Sequence, residues 1–219
     1  MPLLEEDDRR YVQDLLSKSM KDPVKLIVFT QEFECEYCKE TREIAEELAS
    51  LSDKIKVETY DLLKHADKAY QTGVDKIPAL IVTSDATYNV RYFGIPSGYE
   101  FTSLLDDIID TSKKSTRISQ ATREKVKSIN QPVHIQVFVT PTCPYCPRAV
   151  RLAHQFAMEN PAVKADMIES IEFPHLANKY EVMAVPKIVI NDSVSFEGAL
   201  PEPHFLSYVL LALEGKQAS

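Results

Sequence analysis

Cys35-Glu36-Tyr37-Cys38 and Cys143-Pro144-Tyr145-Cys146 stand 108 residues apart, and the same step carries Pro78 onto Pro186. An overlooked repeat distorts every later assignment, so this register is the strongest constraint on the fold. It also takes Asp61 onto Glu169, Ala69 onto Ala177, Val74 onto Val182 and Leu80-Ile81-Val82 onto Ile188-Val189-Ile190. Further on the step becomes 104, pairing Gly94 with Gly198, Phe101 with Phe205 and Ser103 with Ser207. A hairpin loop shortened by four residues in the second copy produces that change, since insertions fall in loops. The 219 residues therefore read as two copies, 1–115 and 116–219, joined by the polar segment Thr111–Arg117.

The copies share one pattern. In the first, Tyr11, Val12, Leu15 and Leu16 recur at helical spacing before the buried strand Lys25–Phe29. After Cys38, Ile44, Ala45, Leu48 and Leu51 mark a helix face, residues 55–61 alternate as a half-buried strand, and a short polar helix covers His65–Gln71. Strands Ala79–Thr83 and Val90–Phe93 and a helix through Leu104, Leu105, Ile108 and Ile109 close the unit. The second copy repeats this with helices near Gln120–Ile129 and Cys146–Met158, strands at 133–139, 163–168, 187–191 and 194–197, and a closing helix through Phe205, Tyr208, Val209 and Leu213. A strand–helix–strand crossover followed by a hairpin requires a mixed sheet covered by helices, an α/β fold.

A dithiol between a strand end and a helix start meets the free N–H groups and positive dipole end of that helix, which favour thiolate. The second cysteine, one turn on, can resolve a mixed disulfide, so each pair is equipped as a two-electron carrier. Cys35 and Cys143 are the expected nucleophiles, and Cys38 and Cys146 the resolving thiols. The second pair, Thr142-Cys143-Pro144-Tyr145-Cys146, resembles a glutaredoxin active site, and each unit resembles a thioredoxin fold. Two such units in one chain, CEYC first and CPYC second, resemble the glutaredoxin-like protein disulfide oxidoreductases of thermophilic archaea and bacteria. The resemblance covers the whole chain. It implies thiol–disulfide exchange on protein substrates, and a cis proline opposite each dithiol, which Ile77-Pro78 and Val185-Pro186 match. The backbone of Ile77 or Val185 would then hold an extended peptide by strand addition. Tyr37 and Tyr145 could shield the thiolate, touch substrate or simply pack.

The two sites differ in surroundings. Glu32, Glu34, Glu36 and Glu40 flank the first, with Lys39 and Arg42 as nearby cations, whereas Arg148 and Arg151 follow the second and no acid lies between Pro141 and Phe156. Like charge disfavours a thiolate, so Cys143 is expected to be the more acidic and faster thiol. The strands before each pair, Ile27-Val28-Phe29 and Ile135-Gln136-Val137-Phe138, contain no acid to receive the resolving cysteine's proton. Phe196-Glu197-Gly198-Ala199-Leu200 departs from the Gly-Gly-x-Asp stretch of glutathione-using glutaredoxins, which favours protein disulfides as substrates.

Structural zinc is the main rival reading of paired cysteines, but 104 residues separate Cys38 from Cys143, against about 15–20 between the pairs of compact zinc ribbons. A redox-inactive adaptor would be marked by a lost cysteine, and both pairs are intact. Histidines 65, 134, 154, 175 and 204 share no ligand spacing and are expected at the surface or at caps. Net charge is −8, with 15 basic and 23 acidic residues in 1–115, the wrong sign for a nucleic-acid partner. The opening Met1-Pro2-Leu3-Leu4 lacks a basic start and cleavage site, and no apolar run approaches the ~18–20 residues of a membrane span, so the cytoplasm is the expected location. No Gly-rich phosphate loop is present, so no bound cofactor is expected and reducing power should come from a separate thioredoxin-reductase-like donor. Five glycines and 13 prolines lower unfolded-state entropy, as thermophile proteins often do.

Overall fold

A computed structural model describes residues 4–84, 87 and 89–215; the first three residues of the leader reading lie outside them. Helix α1 (Glu6–Ser19) opens the chain with Glu6, Asp7 and Asp8 in its first turn, where negative charge meets the positive dipole end. Strand β1 (Val24–Thr30), helix α2 (Cys38–Ser50), strand β2 (Ile55–Asp61), helix α3 (Ala66–Thr72), strands β3 (Ala79–Thr83) and β4 (Val90–Phe93) and helix α4 (Glu100–Lys113) complete the first repeat. The second follows with α5 (Gln120–Lys127), β5 (Val133–Val139), α6 (Cys146–Glu159), β6 (Val163–Glu169), α7 (Pro174–Lys179), β7 (Lys187–Ile190), β8 (Val194–Glu197) and α8 (Glu202–Leu213). These boundaries agree with the sequence reading to within a residue or two at most ends.

The polar segment Thr111–Arg117 that joins the copies is partly helical: α4 continues through Lys113 with Thr111 and Ser112 buried, while Lys113 and Lys114 are exposed. Ser112 Oγ accepts the Lys21 N–H at 2.8 Å, tying the end of α4 to the end of α1. Lys114 then stops the helix in the left-handed region at φ 51°. Polar residues are stable here because the neighbouring backbone supplies their partners.

All eight strands form one sheet in the order β2-β1-β3-β4-β6-β5-β7-β8. The repeats meet at β4 and β6, which run parallel with Val90 opposite Ala165 and Phe93 opposite Ile168. Each repeat thus closes an edge that would otherwise expose a row of free backbone groups. Period-2 alternation sends Leu80, Val82 and Tyr92 to one face, under α1, α2, α4, α5, α6 and α8. Ala79, Ile81 and Phe93 turn to the other, covered by the short helices α3 and α7.

Polar groups seam the junction on both faces. On the α3/α7 side, Arg91 Nε and Nη2 each donate to Asp166 at 2.7 Å, and His134 Nε2 lies 2.7 Å from the same carboxylate. Burial alone would raise the Asp166 pKa, but Arg91 and His134 hold it well below the usual range. On the α4/α6 side, Arg151 pairs with Asp107 and Asp110, Tyr92 donates to Asp107, and His154 Nδ1 sits 2.6 Å from Asp107. His154 is fully buried, which overturns the surface reading for this histidine. Burial first, then Arg151, pushes its pKa down to about 3, so the ring is neutral.

Candidate functional site

Both cysteine pairs are disulfides, each with Cα atoms 5.5 Å apart. Cys38 and Cys146 are the first residues of α2 and α6 and are buried, while Cys35 and Cys143 lie in the turns just before. The strand-to-helix turn arises because β1 and β5 end and the next residues leave the sheet plane to cover its face. In the first site that turn has four residues before the cysteine, Gln31–Glu34, and Glu34 adopts φ 58°. In the second it has three, Thr140–Thr142.

The strand directions put the sites on one rim. β1, β2, β4, β6, β5 and β8 all point the same way, and β3 and β7 oppose them. The C-terminal ends of β1 and β5 therefore share an edge of the sheet, and α2 and α6 pack on the same face. Four strand spacings separate them, about 19 Å.

The peptide bonds Ile77–Pro78 and Val185–Pro186 are both cis, at the ends of β3 and β7 that reach this rim. Gly94 N–H donates to Pro78 O at 2.9 Å and Gly198 N–H to Pro186 O at 2.8 Å, so the repeat is preserved in its hydrogen bonds. In the second site Cys143 Sγ accepts the Cys146 N–H at 3.1 Å and lies 3.8 Å from Val185 O. The helix start thus donates to the sulfur, and the residue before the proline lies beside it without a hydrogen bond. Both prolines are buried, and Ile77 and Val185 are half-buried beside them.

Access differs. Cys143 is 7% exposed, whereas Cys35 is half-buried and lines a cavity of about 360 Å³ with Glu32, Lys39, Arg42, Asp61 and Lys64. Tyr145 is 65% exposed and Met183, three residues before the second cis proline, 88%; Tyr37 is half-buried. Glu36, then burial, then Glu172 and Glu169 raise the Tyr37 pKa, which places two carboxylates of the second repeat near the first motif. Glu172 Oε1 accepts the Ile95 N–H at 2.6 Å, and Glu169 Oε2 accepts the Glu172 N–H at 2.6 Å. Burial, with Glu169 and Glu36, pushes Glu172 up to about 7.

In return the first repeat touches the second motif. Tyr99 N–H donates to Pro141 O at 3.1 Å, and a Cβ on Gly98 would meet Pro141 O at 2.3 Å. Sequence reasoning confined to each repeat missed Glu169, Glu172 and Glu100. In sequence they are acids at a strand end, in a loop and at a helix start, ordinary positions until the joined sheet covers them. Among the described residues no three His, Cys, Asp or Glu side chains cluster as a metal centre would, and no helix is long and apolar enough to cross a membrane.

Comparison with known proteins gives a consistent picture. Residues 133–211 match a thioredoxin-domain family model. A crystal structure of a protein disulfide oxidoreductase from Aeropyrum pernix superposes with TM-score 0.91 at 35% identity, covering 98% of this chain and 96% of that one. A thioredoxin of Methanocaldococcus jannaschii is 47% identical over 68 residues, 31% of this chain and 80% of that protein. An NADH dehydrogenase of Bacillus subtilis is 28% identical over 153 residues, 70% of this chain and 28% of that protein. The chain thus spans under a third of the length of the NADH dehydrogenases it matches.

Proposed function

We propose, because the chain belongs to the protein disulfide oxidoreductase family, that it catalyses thiol–disulfide exchange on protein substrates through both Cys-x-x-Cys pairs. The observation that carries this reading is the doubled arrangement of a disulfide at a helix start beside a cis proline. In the reductive direction a Cys143 thiolate attacks a substrate disulfide and forms a mixed disulfide. Cys146 then attacks Cys143, releases the substrate thiolate and closes the bridge. Cys35 and Cys38 perform the same exchange or pass electrons onward.

Further parts of the proposal extend this cycle. The functional units are residues 1–115 and 116–219, despite their shared sheet. Extended substrate lies along Ile77-Pro78 or Val185-Pro186, with Tyr37 and Tyr145 at the mouth and Met183 offering an apolar surface at the second site. Cys143 is the more reactive thiol: the Cys146 N–H directed at its sulfur supports this, as do the carboxylates near the first motif. The electron donor is a thioredoxin-reductase-like protein, a role to which the partial similarity to NADH dehydrogenases lends support, and the setting is cytoplasmic.

Turnover in reduction of a disulfide-bonded protein by wild type, Cys35→Ser and Cys143→Ser, with zinc analysis of the purified chain, tests the reading. Activity lost chiefly with Cys143→Ser supports it. Activity unaffected by either change, with one tight zinc per chain, overturns it.

A further inference from the structure

A cleft of about 350 Å³ opens between α2 and the segment that leads from β4 into α4, within the roughly 300–1,000 Å³ usual for ligand clefts. Leu4, Ile44, Leu48, Ile95 and Phe101 line it, and Leu4, Ile95 and Phe101 are only half-buried, so apolar surface is left uncovered. Its position links the two dithiols. α2 begins at Cys38, and Glu40, two residues on, lines the cleft; Gly98, also on its wall, abuts Pro141 in the turn before Cys143.

Glu40, Ile44, Glu47 and Leu48 recur at helical spacing and share this face of α2. Glu47 is engaged, accepting the Leu4 N–H at 3.3 Å and pairing with Arg9. Glu40 Oε2 is buried and has no hydrogen-bond partner among the described residues. The cations Lys39 and Arg42 lie toward the Cys35 cavity instead, 3.8 Å from Glu43 and 3.6 Å from Glu46. An apolar trough with an unsatisfied carboxylate oxygen in its wall matches a side chain that has a long aliphatic stem and a cationic head, the chemistry of arginine and lysine.

The second repeat reverses the charge. The step of 108 takes Ile44 onto Leu152, Leu48 onto Phe156 and Glu40 onto Arg148, and the step of 104 takes Phe101 onto Phe205. The apolar positions are kept while the acid becomes a base. Arg148 is exposed, two residues past Cys146. The wider surroundings agree: Glu36, Glu172 and Glu169 act on Tyr37 in the first motif, whereas no acid lies between Pro141 and Phe156.

We propose that the two dithiols divide substrate proteins by charge: a basic side chain flanking the target disulfide enters the Glu40 cleft when the first pair reacts, and Arg148 draws acidic flanks to the second. Resting on the exchange reading above, this makes Glu40 and Arg148 specificity-determining residues. Each site attracts one class of substrate segment and repels the other, so selection works in both directions. One chain thereby serves disulfides in basic and in acidic surroundings from a single rim.

Peptide disulfides provide the test. Two short peptides are joined by one disulfide, one carrying a fluorophore and the other a quencher, with the residues flanking both cysteines all Arg, all Gly or all Glu. They are mixed with reduced Cys143→Ser/Cys146→Ser protein, which keeps the first pair, or reduced Cys35→Ser/Cys38→Ser protein, which keeps the second. Each rate is divided by that of dithiothreitol with the same peptide, which removes the peptide's own reactivity. The first pair should favour Arg over Glu flanks by about tenfold and the second should favour Glu over Arg by a similar factor, both shrinking in 0.5 M salt. Glu40→Gln should cut the first preference at least threefold, and Arg148→Glu should invert the second. The same preference in both single-pair proteins, or a first preference that survives Glu40→Gln, overturns the proposal. Should Glu40→Gln not fold, Arg148→Glu decides: an inverted preference supports the assignment and a retained one rejects it. If neither protein reduces any of the peptides while dithiothreitol reduces them all, the exchange reading falls instead.

Discussion

Arg91 of the first repeat and Asp166 of the second form a buried, two-pronged ion pair across the β4–β6 junction, 75 residues apart in sequence, with both N–H···O distances at 2.7 Å. Arg91 Nη1 also donates to Gly73 O at 2.6 Å, so little of the guanidinium is left unsatisfied. Removing one partner leaves the other charged and buried. Arg91→Ala should therefore cost about 3–5 kcal/mol, read as a lowered midpoint in urea unfolding, and the joint change Arg91→Met with Asp166→Leu should cost less than Arg91→Ala alone. A single variant that unfolds like wild type would show that the pair does not hold the repeats together.

His154 links folding to acid. Its pKa is held down at about 3 when folded, against 6.5 in the unfolded chain, so the unfolded state binds the extra proton. Stability from this neutral ring is fully present above pH 6.5 and is lost as pH falls from there toward 3, by up to about 1.4 kcal/mol per unit. His154→Gln, which can still donate to Asp107, should flatten that loss. Urea unfolding at pH 7, 6 and 5 measures the slope, and an unchanged slope would place the acid sensitivity elsewhere.

Glu172 works in the opposite direction. A carboxyl raised from 4.5 to about 7 contributes most when protonated: its contribution is whole below pH 4.5 and is lost as pH rises through 7. Glu172→Gln should raise the thermal midpoint at pH 8 and change it little at pH 5, because an amide oxygen can still accept the Ile95 N–H. A stabilisation equal at both pH values would contradict this assignment.

These features show what one strand's sequence can and cannot reveal. The period-2 pattern of β3 and β4, with apolar residues on both faces, was legible as buried strand, and the matched cysteines and prolines located both sites. Arg91 within β4 has meaning only beside Asp166, and that pairing depends on which sheet edges meet. His154 likewise reads as a surface or capping residue until α4 and α6 are set side by side. Intra-repeat structure was carried by local periodicity; the junction, and the acids it buries, required three-dimensional contact between distant segments.

Gly98 offers a structural test of that contact. It has φ 59°, and a Cβ would come within 2.3 Å of Pro141 O, in the turn before Cys143. Both the left-handed backbone and the close approach exclude a side chain. Gly98→Ala should slow exchange at the second dithiol more than at the first, compared in the two backgrounds that retain one pair each. Equal effects would show that the loop supports only general stability.

Trapping of covalent intermediates shows whether both dithiols on the shared rim attack and resolve. Reduced Cys38→Ser and Cys146→Ser variants, mixed with a disulfide-bonded protein, should each accumulate a covalent complex that dithiothreitol releases, joined through Cys35 and Cys143 respectively. No complex from either variant, while the wild-type cysteines titrate as free thiols, would contradict the account.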